Sequence, residues 1–188
     1  MLMARIKYLD PADIEDLADR ELLARRPINL TRLLIRNPGL VRGMQGLSGY
    51  VRGNSQLDPR IREIGVLTVA WVARNQYEWS HHIRIARDAG VTDKEIGAIM
   101  GRSEPEGLLA AVIQGAREMY LEGGMSAATF SKLQSEVAES PLIDLIFSIS
   151  FYCGIGRLLR TLEIDVEEDY MVELQQYPLP NGKIDAIP

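Results

Sequence analysis

Apolar residues recur at helical spacing through most of this chain, and no stretch alternates with the two-residue period of a strand. The pattern peaks between Pro59 and about Arg74, where Ile61, Ile64, Val66, Leu67, Val69, Ala70, Trp71 and Val72 leave hardly a polar face. A helix apolar all round belongs in the middle of a bundle. The next segment, about Gln76 to Ala89, is amphipathic and stops at Gly90, a residue suited to the left-handed turn that ends helices. Thr92 and Glu95 have the spacing of a capping box for a short helix carrying Ile96, Ile99 and Met100.

Elsewhere the breaks are sharply marked. Asp10-Pro11, Asn37-Pro38, Asp58-Pro59 and Ser140-Pro141 each place a capping residue before a proline, the combination that opens helices. They predict helices through Ala24, towards Tyr50, to Arg74 and to Leu162. Gly101 to Gly107 reads as a loop, and Leu108 to Leu121 as a helix stopped by Gly123-Gly124. Ser126 caps a further helix to Ala138. The expectation is an all-α bundle of about seven or eight helices. It spans residues 1–172 as one domain, with 173–188, containing Pro178, Pro180, Gly182 and Pro188, as an extended C-terminal tail.

The 188-residue length suits one domain with a substantial core. A net charge of −5 argues against nucleic-acid binding. The local basic run Arg20, Arg25, Arg26, Arg32 and Arg36 is read as a solvated or subunit-facing surface. The run Leu142 to Leu159 is interrupted by Asp144, Ser148, Ser150 and Arg157, so no membrane association is expected. A single cysteine, Cys153, precludes an intrachain disulfide and fits a reducing cytoplasm. Its apolar surroundings suggest a packed, inert thiol.

Chemistry concentrates in Asn75-Gln76-Tyr77-Glu78-Trp79-Ser80-His81-His82, which holds both histidines of the chain. Residues three and four apart share a helix face, so Glu78 can meet His81 or His82. A centre that titrates near neutral pH is expected here, because no other imidazole exists. Arg74 and Arg84 flank the segment as candidate clamps for a substrate carboxylate. Glu78-x-x-His81 matches half of a di-iron motif. The second half is missing and no third histidine exists, so no metal is expected.

Glu63 lies on the preceding apolar helix, and the complete pattern is Glu63-x11-Asn75-x2-Glu78-x3-His82. This spacing resembles the signature of the carboxymuconolactone decarboxylase and AhpD-like superfamily, whose peroxidase branch carries cysteines where Asn75 and Glu78 stand here. The likeness covers about residues 46–120 and includes Ala86, Ala89-Gly90-Val91-Thr92 and Glu95-Ile96. It implies an AhpD-like helical fold, built around a helical hairpin, and a homo-oligomer, commonly a trimer or hexamer. The decarboxylase branch lacks the cysteine pair and removes carbon dioxide from a carboxylated lactone in aromatic-acid breakdown without a cofactor.

Thiol peroxidase chemistry requires an attacking thiolate and a resolving thiol, and neither Asn75 nor Glu78 supplies one. Acid–base chemistry remains. The resemblance implies Glu63, Glu78 and His82 as the catalytic set: His82 as proton donor, Glu78 orienting it and keeping it protonated, and Glu63 completing the relay. Asn75, Tyr77, Arg74 and His81 are the candidate substrate contacts. The expected activity is a cofactor-independent lyase acting on a small organic acid or lactone. A lactone hydrolase or isomerase, and a non-catalytic oligomeric binding protein, are the alternatives.

Overall fold

Helix α4 (Pro59–Val72) runs through the centre of the molecule, with every residue from Ile61 to Ala70 buried. Its sequence dictates this position, since burying each large apolar side chain contributes roughly 1.5–3 kcal/mol and α4 offers one on every side. The computed structural model describes residues 4–180. Preceding α4 are α1 (Leu17–Ala24), α2 (Asn29–Leu34) and α3 (Pro38–Gly49). After it come α5 (Gln76–Asp88), α6 (Asp93–Ile99), α7 (Gly107–Leu121), α8 (Ala127–Glu136), α9 (Glu139–Leu162) and α10 (Met171–Gln176). The described residues contain no strand.

Around α4 pack α5, α6, α7 and α9. Gly65 permits the close approach of α9: a Cβ there would sit 3.2 Å from Ile149 Cγ1. The main core gathers Ile64, Leu67, Trp79, Ile83, Ile96, Ile99, Val112, Leu145 and Ile149. A second cluster joins Leu22, Leu23, Leu30, Leu34, Ile35 and Val41 to Tyr77 and Leu159. Helix α5 therefore lies between two cores, with Trp79 committed to one and Tyr77 to the other.

Several predicted boundaries hold. Asp58 caps α4 by accepting from Arg60 N, Thr92 and Glu95 form their capping box, and Gly90 takes a φ of 87° after α5. Other expectations need correction. Asp10-Pro11 opens only a 3₁₀ turn over Pro11–Asp13, and α1 starts at Leu17 behind Asp16, whose side chain accepts from Asp19 N. Ser140-Pro141 lies inside the first turn of α9, which begins at Glu139. Ten α-helical segments occur among the described residues, the six-residue α2 and α10 being additional to the longer helices that the sequence predicts. The start of the predicted extended tail, Glu173–Gln176, is helical, and Glu173 is held by Arg84 at 2.9 Å. Residues 181–188 of that tail lie outside the described residues.

Among the described residues α9 alone is long and apolar enough to cross a membrane, and half of its apolar window is buried within the protein. That burial suits a core helix. Cys153 lies on it, buried, and desolvation raises its thiol pKa.

Candidate active site

The tight connection between α4 and α5 sets the site. Arg74 adopts a positive φ of 49°, which turns the chain. Asn75 then caps α5: its side-chain oxygen accepts from Glu78 N at 3.1 Å, while its Nδ2 donates to Gly156 O of α9 at 3.0 Å. Both halves of its amide are engaged in holding the helix start in place.

From that start, Glu78 and His82 fall one turn apart on the same face of α5. His82 Nε2 lies 3.2 Å from Glu78 Oε2. On the opposite side of the ring, His82 Nδ1 meets Glu63 Oε2 of α4 at 2.7 Å. Glu63 Oε1 accepts from Arg62 Nε at 2.9 Å, and Arg62 Nη1 donates onward to Val51 O at 3.1 Å. The result is a continuous row, Arg62–Glu63–His82–Glu78, of buried groups. Tyr152 of α9 places its ring edge-on to the imidazole, with centroids 4.7 Å apart.

Electrostatics follow from this row. Burial disfavours a charged imidazole at His82, but Glu63 and then Glu78 outweigh it and push the pKa up to about 9. Burial likewise opposes ionisation of Glu63, yet His82 and Arg62 hold its carboxyl below the usual range. At neutral pH His82 is an imidazolium donating through both nitrogens.

Glu78 and His82, but not Glu63, line a cavity of about 50 Å³, several times the roughly 10–15 Å³ that one water requires. The two carboxylates are therefore placed differently about His82, although both contact it and both raise its pKa. Glu63 is the residue behind His82 that orients it and keeps it charged, whereas Glu78 faces the open space. Ile28, Leu30, Met44, Phe151 and Ile155 supply apolar wall, and Arg26, Arg52 and Tyr152 supply polar groups.

Among the predicted substrate contacts, Tyr77 and His81 reach this cavity. Each is also tied into a second network. His81 Nε2 lies 2.7 Å from Glu167 Oε2, and the ring stacks between Tyr77 and Tyr170. Tyr77 OH donates to Glu167 Oε1 at 3.1 Å and accepts from Leu30 N at 3.2 Å. Asn75 is a structural cap and does not line the cavity. Arg74 lines a separate open groove with Gln76, Arg160 and Glu163. Arg84 is occupied by Glu173 and Asp169 O. The chain's sequence pattern singled out neither Arg52 nor Tyr152. Arg26 appeared only within a basic run assigned to surface.

The family model described as "Carboxymuconolactone decarboxylase family" matches residues 38–119. The fold agrees with two crystal structures over most of their length. One is an alkylhydroperoxidase AhpD core, an uncharacterized peroxidase-related protein from Ralstonia eutropha JMP134 (TM-score 0.74, 14% identity, covering 92% of this chain and 96% of that one). The other is the debrominase Bmp8 in complex with 2,3,4-tribromopyrrole (TM-score 0.73, 16% identity, covering 92% and 98%). Residues 38–119 are thus similar to the carboxymuconolactone decarboxylase family, and the chain shares the fold of the AhpD core and of Bmp8. No curated protein matches the sequence.

The family-matched region supplies Glu63, Glu78 and His82, together with Met44, Ser48 and Arg52 of the cavity. Arg26, Ile28 and Leu30 on one flank, and Phe151, Tyr152 and Ile155 on the other, come from outside that region. The hairpin thus carries the Glu63–His82–Glu78 row, while the flanking segments supply further walls of the cavity.

Proposed function

We propose that this protein is a cofactor-independent acid–base lyase, a decarboxylase acting on a small organic acid or lactone. The observation that carries the proposal is the placement of His82 between two carboxylates, with Glu63 sealed behind it and Glu78 on the cavity side.

Decarboxylation breaks a C–C bond, releases carbon dioxide and leaves its electron pair on carbon. That pair is stabilised by delocalisation into a neighbouring carbonyl, as an enolate, before carbon takes up a proton. An imidazolium is suited to both tasks: its charge stabilises the developing oxyanion, and its Nε2 proton passes to the substrate directly or through Glu78. Glu63 keeps its own charge throughout, holding the ring and offsetting the imidazolium. Solvent then returns one proton to His82, so each turnover consumes one proton and releases one carbon dioxide.

The test is to incubate purified protein with carboxylated lactones and related keto acids, following carbon dioxide release and ring opening separately. Carbon dioxide release that falls at least about a hundredfold in His82→Gln, the low end for acid–base catalysis, supports the assignment. Ring opening without carbon dioxide replaces it with a lactone hydrolase acting through the same relay. No turnover, or an unchanged rate in the variant, overturns it.

A further inference from the structure

The cavity presents two guanidinium groups, from Arg26 and Arg52. Arg52 sits in a single turn of π-helix, Tyr50–Asn54, that prolongs α3; such turns are frequent at functional sites. That turn is anchored from two sides. Val51 O accepts from Arg62. Asp144 of α9 accepts from Tyr50 OH at 2.8 Å, Ser55 Oγ at 2.7 Å and Gln56 N at 3.0 Å. Among the described residues Arg52 itself donates only to Ser48, through Nε to the carbonyl at 3.2 Å and Nη2 to the hydroxyl at 3.3 Å. Among the described residues no carboxylate pairs with Arg26 or Arg52, although ten other basic side chains, including both histidines, have one.

Burial and the nearby charge of Arg26 both hold the Arg52 guanidinium below its ordinary pKa, yet arginine remains charged at any physiological pH. Two like charges are thus turned towards one small space. With His82 protonated, Arg26 and Arg52 give that space an excess of positive charge over Glu78 and Glu63. An anion placed there relieves the repulsion and gains charge-assisted hydrogen bonds. Ile28, Leu30, Met44, Phe151 and Ile155 around it suit an apolar body attached to that anion.

We propose that Arg26 and Arg52 form a carboxylate-binding subsite, holding a small organic acid by its anionic group against the Glu78–His82 face. The assignment rests on reading this cavity as the substrate site. It goes further by naming the specificity-determining pair. One member, Arg26, lies outside the family-matched region and the other, Arg52, within it, so the subsite joins this chain's N-terminal segment to the matched region.

The experiment measures equilibrium binding to the full-length protein by calorimetry, using acetate, propionate and benzoate beside acetamide, propionamide and benzamide. In the unaltered protein at least one acid binds about tenfold more tightly than its amide, the scale of one charge-assisted hydrogen bond. In the double variant Arg26→Gln/Arg52→Gln that ratio falls to about two or less. Equal binding of every acid and its amide, or a preference that survives the double substitution, overturns the subsite. Thermal unfolding of Arg26→Gln provides a second reading. A site built for an absent anion loses like-charge repulsion, so the melting temperature stays level or rises, whereas a fall of more than about 5 °C marks Arg26 as structural and overturns the proposal. None of these acids needs to react. Failure of the lyase assay therefore leaves the binding result standing, and loss of the acid preference leaves the relay untouched.

Discussion

Glu63 and His82 come from helices joined by a three-residue turn, and their side chains meet at 2.7 Å with no exposure at Glu63. Breaking such a pair by removing one partner leaves an unmatched buried charge, which is far costlier than the pair is stabilising. The two residues consequently act as one titrating unit, and its protons report on both stability and chemistry.

The first prediction concerns pH. His82 binds its proton more tightly in the folded chain, with a pKa raised from 6.5 to about 9. Its contribution to stability is complete below about pH 6.5 and is lost as pH rises towards 9. Glu63 has the opposite sense: its carboxyl is depressed below 4.5, so its share is present above that value and is lost as acid protonates it. Thermal unfolding across pH 5 to 10 should show a declining alkaline limb, which flattens in His82→Gln. Glu63→Gln should shift any alkaline limb of the reaction rate down by at least about one pH unit, since one unit is 1.36 kcal/mol and the lost charge interaction is larger than that at a buried site. A profile that does not move would separate Glu63 from the protonation of His82.

A second prediction concerns Asn75, which stands where the peroxidase branch of the superfamily has a cysteine. Here it caps α5 and bridges to α9. Asn75→Ala should cost about 1–2 kcal/mol, the range for a lost N-cap, with further loss from the unpaired Gly156 carbonyl. Asn75→Asp keeps the acceptor for Glu78 N but not the donor, and should fall between the two in urea denaturation. An alanine variant as stable as the parent would remove the capping role.

Both helices of this hairpin were legible because their signals are local. Asp58-Pro59, Gly90 and the Thr92–Glu95 box each act within one turn of the residue that needs them, and the apolar run of α4 requires burial whatever surrounds it. His82 stood out because both histidines of the chain lie one turn from Glu78, whereas Glu63 was accessible only through a spacing that resembles the superfamily signature. The rest of the site is assembled from long separations. Glu167 reaches His81 across 86 positions and Asp144 reaches Ser55 across 89, and no periodicity encodes such pairs. Helix α2 was missed because Ile28 at its cap position offers no side-chain acceptor, and Leu30 and Leu34 are fixed by the second core instead. Asp10-Pro11 misled because its cap closes on Asp13 in a 3₁₀ turn, with the true helix cap six residues further on at Asp16.

A third prediction tests the absence of sulfur chemistry. Cys153 is buried in α9, and desolvation raises its thiol above its ordinary pKa. Reactivity follows the thiolate, so the folded protein should resist a thiol-specific disulfide reagent and react fully only after denaturation. It should also fail to consume organic hydroperoxides with dithiol reductants; Cys153→Ser should abolish the reaction after denaturation and leave the hydroperoxide result unchanged. Hydroperoxide turnover that depended on Cys153 would reverse the conclusion.

The last prediction concerns Glu167, which fastens the segment after α9 onto the outer side of the site. Its carboxylate accepts from Asn29 N at 2.6 Å and from Tyr77 OH at 3.1 Å, and it pairs with His81 at 2.7 Å. Burial works against its charge, yet the His81 and Asn29 hydrogen bonds hold its carboxyl below the usual range. Its stabilising share is therefore present near neutral pH and is lost as pH falls through that depressed value. Glu167→Gln turns one acceptor oxygen into an NH₂ group facing existing donors, and should destabilise by roughly 1–3 kcal/mol. The same change should loosen the chain up to Tyr177, whose carbonyl accepts from Trp79 Nε1 at 2.8 Å, so faster amide exchange across Met171–Gln176 is expected. Unaltered exchange together with unaltered stability would show that this segment is held by α10 and Arg84 alone.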